Sequence, residues 1–251
     1  MKGPDDKAPV FVGGVGGSGT RVVTDILMKM GFFMGDNLNN SNDYMELGKL
    51  LPRLRELIYI HGVKTNQEIN GHIHDRLIEI EALIQSGMQN PHLYRGWGWK
   101  APPNFFILEH LNDHFPDLRY IHVIRHGLDM AFSENQNQLK NWGFYFDIDA
   151  DELSLPQASL RYWIEANKFA INLGQNFLQD RFYLLRFDKL CMEPQRVVAE
   201  LAKFLGINDI DAAAIIKNIH KPDSLGGYKS RDISIFNKGD IEEVVSLGFS
   251  V

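Results

Sequence analysis

The stretch Val10-Phe11-Val12-Gly13-Gly14-Val15-Gly16-Gly17-Ser18-Gly19-Thr20-Arg21-Val22-Val23 confines this chain to a narrow set of folds. It reads as a buried strand, a glycine-rich turn and the first turn of a helix. A turn of this kind is an anion site, because free N–H groups at a helix start point outward and the helix dipole favours negative charge there. Glycine lets the backbone take positive φ and approach a phosphate without a side-chain clash. Ser18 and Thr20 add hydroxyl donors, and Arg21 adds a fixed positive charge. A phosphorylated ligand near the N-terminus is the expectation.

Three kinds of loop share these glycines. Gly14-x-Gly16-x-x-Gly19 fits the dinucleotide fingerprint, with Asp36 at a suitable spacing for a ribose hydroxyl. Gly14-x-x-x-x-Gly19 also opens a Walker A loop. Thr20 and Arg21 stand where Lys and Ser/Thr belong, so the lysine that meets the γ-phosphate is missing. The third loop grips a single 5′-phosphate, centred on Ser18-Gly19-Thr20 and followed by an amphipathic helix. The glycine pattern alone does not choose among them.

A second element narrows the choice. In Arg119-Tyr120-Ile121-His122-Val123-Ile124-Arg125-His126-Gly127-Leu128-Asp129-Met130-Ala131-Phe132-Ser133, the run from Tyr120 to Ile124 has the β-branched, apolar character of a buried strand. Arg125 falls where that strand ends, and Ser133 follows eight residues later, two turns into the expected helix. Ligands of open α/β sheets bind outside the carboxyl ends of the strands. An arginine there can donate both arms of its planar fork to a phosphate.

With both elements in view, the chain resembles the sulfotransferases that use 3′-phosphoadenosine-5′-phosphosulfate (PAPS). In that family a strand–loop–helix ending Ser-Gly-Thr binds the 5′-phosphate, and a later strand–Arg…Ser–helix binds the 3′-phosphate. Trp99-Lys100-Ala101-Pro102, then Phe115-Pro116-Asp117-Leu118-Arg119-Tyr120-Ile121, is similar to the family's lysine-proline segment and the strand after it. Tyr183-Leu184-Leu185-Arg186-Phe187-Asp188-Lys189-Leu190, with Glu193-Pro194 and Phe204-Leu205-Gly206, is similar to its late strand and helix. The resemblance spans residues 9 to 206. It implies that Gly16, Gly17, Ser18, Gly19, Thr20 and Arg21 hold the 5′-phosphate of PAPS, or of its product adenosine 3′,5′-bisphosphate (PAP). Arg125 and Ser133 are then expected at the 3′-phosphate. A basic tail loop with Lys229 and Arg231 is expected to fold over it.

Two departures bear on activity. Gly17 stands where the family usually has Lys or Arg, so Arg21 is expected to supply that charge. Arg125-His126-Gly127 stands where Arg-Asp-Pro is often found. A nicotinamide-dependent oxidoreductase, on the fingerprint, and a non-catalytic PAP-binding module, on Gly17, are the rival readings.

Apolar strands near residues 9–13, 32–34, 97–100, 119–124 and 182–186 alternate with helical segments at 19–30, 43–59, 66–86, 103–114, 127–140, 157–179, 194–205 and 209–219. That order predicts an α/β fold, a P-loop-like open parallel sheet of four or five strands with helices on both faces. Thr65-Asn66-Gln67-Glu68 and Asp43-Tyr44-Met45-Glu46 have capping-box spacing. Residues 141–156 lack periodicity and read as a surface loop or lid, and residues 221–251 as a tail closing on the nucleotide site. A single domain over residues 1–251 is expected.

A net charge of −6 disfavours a broad nucleic-acid or anionic-membrane surface, so a nucleotide must be held by local cations such as Arg21, Lys100 and Arg125. Cys191 is the only cysteine, no long apolar run exists, and the first residues lack a signal-peptide core. A cytoplasmic protein without a membrane segment is expected. Sulfuryl transfer does not itself require a metal, because side chains and helix N–H groups can neutralise the leaving phosphate. No histidine spacing here marks a metal site. Lys100 is the expected catalytic cation and Glu46 the expected general base. The acidic balance favours a neutral hydroxylated acceptor, whether small molecule, glycan or lipid.

Overall fold

Val10 and Val12 point to one face of the first strand and Phe11 to the other, and the same alternation in its neighbours separates two cores. The computed structural model describes residues 7–61, 67–148 and 152–251. Within these residues, β1 (Val10–Gly14), β2 (Phe32–Phe33), β3 (Gly96–Lys100), β4 (Arg119–Ile124) and β5 (Phe182–Arg186) form an all-parallel sheet in the order β2-β3-β1-β4-β5. The helices are α1 (Thr20–Lys29), α2 (Leu50–His61), α3 (Gln67–Gly87), α4 (Leu108–His114), α5 (Gly127–Ala131), α6 (Asn137–Trp142), α7 (Leu155–Leu173), α8 (Phe187–Met192), α9 (Pro194–Leu205), α10 (Ala212–Ile216) and α11 (Lys238–Ser246).

One core packs Val10, Val12, Ile121, Val123 and Leu185 against α1 and α9, through Val23, Ile26, Leu27, Val198 and Leu201. The other packs Phe11, Trp99 and Tyr120 against α3, α4 and α7, through Ile80, Leu111 and Trp163. With both faces covered, β1, β3 and β4 are buried runs, as the sequence predicts. α9 carries Pro194 at its first position and ends at Gly206 with φ 73°, the usual asymmetry of helix ends. α7 starts two residues earlier than expected because Ser154 and Gln157 cap it reciprocally.

Other boundaries differ for identifiable reasons. The helix expected over 127–140 is broken after Ala131. Ser133 Oγ accepts from the Asn135 amide, and Gln136 Nε2 donates to the carbonyls of Met130 and Ser133. These side chains compete with the helical ladder and turn the chain before α6. Ser133 therefore sits in a turn, not two turns into a helix. The stretch expected as helix 43–59 is a short 3₁₀ turn, Met45–Gly48, followed by α2. Pro102 and Pro103 likewise hold 102–107 in a 3₁₀ turn before α4. The last expected helix, 209–219, is regular only over α10. The capping reading at Thr65-Asn66 lies outside the described residues. In the expected lid, Gly143–Phe146 forms a 3₁₀ turn packed down by aromatic contacts, among them Trp142 stacked 4.2 Å from Phe106.

Candidate functional site

In the parallel register Gly14 of β1 lies beside Val123 of β4, so the two segments expected to bind phosphate leave the sheet from neighbouring carboxyl ends. The chain passes from β3 across β1 to β4, making this the crevice where open α/β sheets bind ligands. The first loop turns tightly, with Ser18 N donating to Val15 O at 3.0 Å. Gly19, the residue before α1, has φ 99° and ψ 13°, and a Cβ there would stand 2.2 Å from the Phe187 ring. Left-handed backbone and a ring at contact distance leave room only for glycine. The opening amides of α1 thus stay accessible to an anion. Ser18 is fully buried, yet its Oγ has no hydrogen-bond partner. Buried hydroxyls are nearly always paired, and the protein leaves this one unpaired. Thr20 is buried at the same helix start and Arg21 is exposed one residue on. Asp36 packs its carboxylate against Gly87 at the end of α3.

Arg125 follows β4 directly and is 9% exposed. Its guanidinium lies over the Phe187 ring at 5.8 Å, the ring that also touches Gly19, so Phe187 packs under both the glycine loop and the segment after β4. One arm, Nη2, donates to Ser224 Oγ at 3.0 Å. Nε is buried without a partner. The fork is therefore only partly used by the protein. Ser133 keeps its hydrogen bonds within its own turn. His126, next to Arg125, is committed elsewhere. Its Nδ1 accepts from the Leu128 amide and its Nε2 lies 2.9 Å from the Ser250 carbonyl, so the proton sits on Nε2. Its ring stacks on Tyr228 at 4.2 Å.

The tail docks through Asp129, one helical turn after Arg125. Its carboxylate accepts from the amides of Gly226 and Tyr228 at 2.7 and 3.1 Å and lies 3.9 Å from Arg125 Nη2. Arg186 Nη1 adds bonds to the carbonyls of Leu247 and Gly248. Lys229 lines a cavity of about 330 Å³ with His126, Asp188, Lys189 and Lys221. Arg231 instead lies over Phe132, at 5.9 Å. Asp129→Asn is expected to weaken the tail anchor by about 1–2 kcal/mol, because it turns one charged acceptor into a donor facing an N–H. Faster hydrogen exchange at the Gly226 and Tyr228 amides would register this. Unchanged exchange would mean that the other tail contacts suffice.

Lys100 ends β3 beside Val12 of β1 and is 2% exposed. Its Nζ donates to Asp43 Oδ1 at 2.6 Å and to the Ser41 carbonyl at 2.8 Å. Burial pushes the ammonium below the usual lysine range, Asp43 opposes that shift, and nearby Arg21 adds to it. Asp43 is thus a partner of Lys100 and not a helix cap, which corrects the capping-box reading; the 3₁₀ turn after it has no side-chain cap. Glu46 on the same loop accepts from Asn37 Nδ2 at 2.8 Å.

Sequence reading missed Ser224, Asp129 and Phe187. Asp129 carried a signal, the i, i+4 spacing from Arg125. Ser224 and Phe187 carried none, since each matters through contacts far along the chain. Among the described residues no group of three or more His, Cys, Asp or Glu is placed to hold a metal, and no helix is long and apolar enough to cross a membrane.

The geometry has clear relatives. No curated protein matches the chain in sequence. Its fold is similar to the sulfotransferase domain of the Synechococcus olefin synthase, with TM-score 0.57, 16% identity, and 100% of this chain and 99% of that one covered. It is also similar to a sulfotransferase from Alicyclobacillus acidocaldarius, with TM-score 0.53, 12% identity and coverage of 96% and 95%. A sulfotransferase from Mycobacterium tuberculosis gives TM-score 0.52, 14% identity and coverage of 96% and 77%. At these identities the likeness establishes the fold. A family model described as "Sulfotransferase family" matches residues 9–211, a span that takes in the glycine loop, the Arg125 segment, Lys100 and the β5–α9 segment. The chain therefore belongs to the sulfotransferase family.

Proposed function

We propose that the protein transfers a sulfuryl group from PAPS to a hydroxyl of a small molecule, glycan or lipid and releases PAP, acting in the cytoplasm without a metal. One observation carries this reading. Two buried polar groups without partners, Ser18 Oγ and Arg125 Nε, lie in the segments that follow two adjacent strands, and the Phe187 ring touches both segments, at Gly19 and at the Arg125 guanidinium. That is a pair of anion sites on one face, which suits a nucleotide with two separated phosphates. NAD carries its phosphates as a single pyrophosphate and has no separate phosphate for the arginine fork at β4.

In the transfer, the acceptor oxygen attacks sulfur and forms the new O–S bond. The bond from sulfur to the bridging oxygen breaks, and its electron pair stays on the 5′-phosphate of PAP. The loop from Gly16 to Thr20, with Arg21, faces that phosphate and stabilises the charge it gains. In this reading Arg21 replaces the cation missing at Gly17, Lys100 acts near the reacting oxygens, and Glu46 takes the acceptor's proton. Arg125 and Ser133 read the 3′-phosphate, and the tail from Lys221, with Lys229 and Arg231, closes the nucleotide site.

The test is a thermal or urea melt with PAP and with NAD. PAP at ten times its dissociation constant is expected to add about 1.4 kcal/mol to stability. A shift from NAD and none from PAP would overturn the reading. A shift from PAP with no PAP release from PAPS, with or without added hydroxyl acceptors, would favour a binding module, the alternative that Gly17 suggests.

A further inference from the structure

The His126 ring plays no part in the proposed transfer, yet it is 7% exposed and ties two parts of the fold together. Its Nδ1 accepts from the Leu128 amide at 3.2 Å and so caps α5. Its Nε2 donates to the Ser250 carbonyl at 2.9 Å, and the same carbonyl accepts from the Tyr228 hydroxyl at 3.1 Å. The ring lies against Tyr228, stacked at 4.2 Å, and Phe249, tilted at 5.2 Å. One imidazole thus joins the start of α5 to two separate stretches of the tail. It can do both only when neutral, with a proton on Nε2 to donate and a bare Nδ1 to accept. Once protonated it carries N–H on both sides, and Nδ1–H would face the Leu128 N–H.

We propose that His126 is a proton-operated latch: the neutral ring pins the tail against α5, and the protonated ring releases it. Two facing donors repel, so the protonated ring turns. That turn takes Nε2 off Ser250 and breaks the stack on Tyr228. The latch is therefore complete at neutral pH and is lost as pH falls through the range in which imidazoles take up a proton. The surrounding charges do not hold an imidazolium in place. Asp188 already accepts from the His126 amide at 3.1 Å, and burial pushes its own carboxyl upward. Asp129 spends its carboxylate on the Gly226 and Tyr228 amides. Against these two stand Arg125, one residue before the ring, and Arg186, Lys189, Lys221 and Lys229, which line one cavity with it. Asp129 and Arg186 keep their own bonds to the tail, so release loosens the segment without detaching it. An amide or carboxylate in place of the imidazole would cap α5 without titrating in that range.

The test is hydrogen exchange of the nucleotide-free protein at pH 7.5 and 5.5, read as protection factors so that the intrinsic pH dependence of exchange cancels. In wild type the Tyr228, Gly248 and Phe249 amides, all hydrogen-bonded in the latched tail, are expected to lose protection about five- to tenfold in acid, while the β1 and β4 amides keep theirs. His126→Asn and His126→Asp each keep an acceptor for the Leu128 amide and give up the bond to Ser250. Their tails are expected to be less protected at pH 7.5 and to change by no more than about twofold on acidification. Wild-type protection that holds at pH 5.5 would overturn the proposal. So would variants that lose as much in acid as wild type, since another group would then carry the effect. The two substitutions guard against a folding defect in either one. No nucleotide enters the measurement, so PAP failing to bind at pH 7.5 would end the sulfotransferase reading without deciding the latch.

Discussion

Arg125→Ala is expected to weaken PAP by about 2 kcal/mol, roughly 30-fold, while AMP, which lacks the 3′-phosphate, loses little. The reasoning starts from the guanidinium. Nη2 is held by Ser224 and Nε is buried with no partner. A phosphate that meets Nε takes a charge-assisted bond from a donor whose desolvation is already complete. Ser224, Asp129 and Phe187 hold the fork in place, so little side-chain entropy is lost on binding. Arg125→Lys keeps the charge without the planar fork and should recover less than half of the lost free energy. Calorimetry with PAP and AMP on the three proteins gives the answer. Equal weakening of PAP and AMP by Arg125→Ala would show that Arg125 does not read the 3′-phosphate.

Lys100→Met is expected to lower PAPS turnover about 100-fold or more, with PAP affinity within about twofold. A group that acts on charge developing during transfer matters more to the transition state than to the bound product. Lys100 suits that role because its ammonium is already desolvated and held by Asp43 and the Ser41 carbonyl. It need not reorganise as the reaction proceeds. Met fills the volume of the lysine stem, so the core around β3 is kept. Removing one partner of a buried pair also destabilises, although Asp43, 29% exposed, stays hydrated enough to limit the loss. PAP release from PAPS is the readout, measured as slow hydrolysis where no acceptor is at hand. Normal turnover with a lower melting temperature would reduce Lys100 to a pin holding the 36–46 loop.

These two predictions differ in how far the sequence alone could take them. The parallel sheet was legible because β1, β4 and β5 are short apolar runs bounded by turn residues and separated by helical segments. The glycine turn after β1 was legible because positive φ at Gly17 and Gly19 is a demand that only glycine meets cheaply. Arg125 was legible because a cation directly after a buried strand has one place to go, the carboxyl end of the sheet.

Asp43 was misread because Asp43-x-x-Glu46 has a good local score as a cap. The competing partner, Lys100, is 57 residues away and is brought near by the β2–β3 pairing and by the Tyr44 amide donating to the Lys100 carbonyl. The break after Ala131 was missed because Ser133, Asn135 and Gln136 are each tolerated in helices, and only together do they take the ladder's place. Ser224 against Arg125, Phe187 under the glycine loop and the segment after β4, and Tyr228 against His126 belong to tertiary packing alone. Periodicity and turn chemistry act over a few residues, and so the strands and the glycine turn could be read directly from the chain. Contacts such as that of Arg125 and Ser224, 99 residues apart, exist only once the sheet has ordered its strands and the tail has found Asp129.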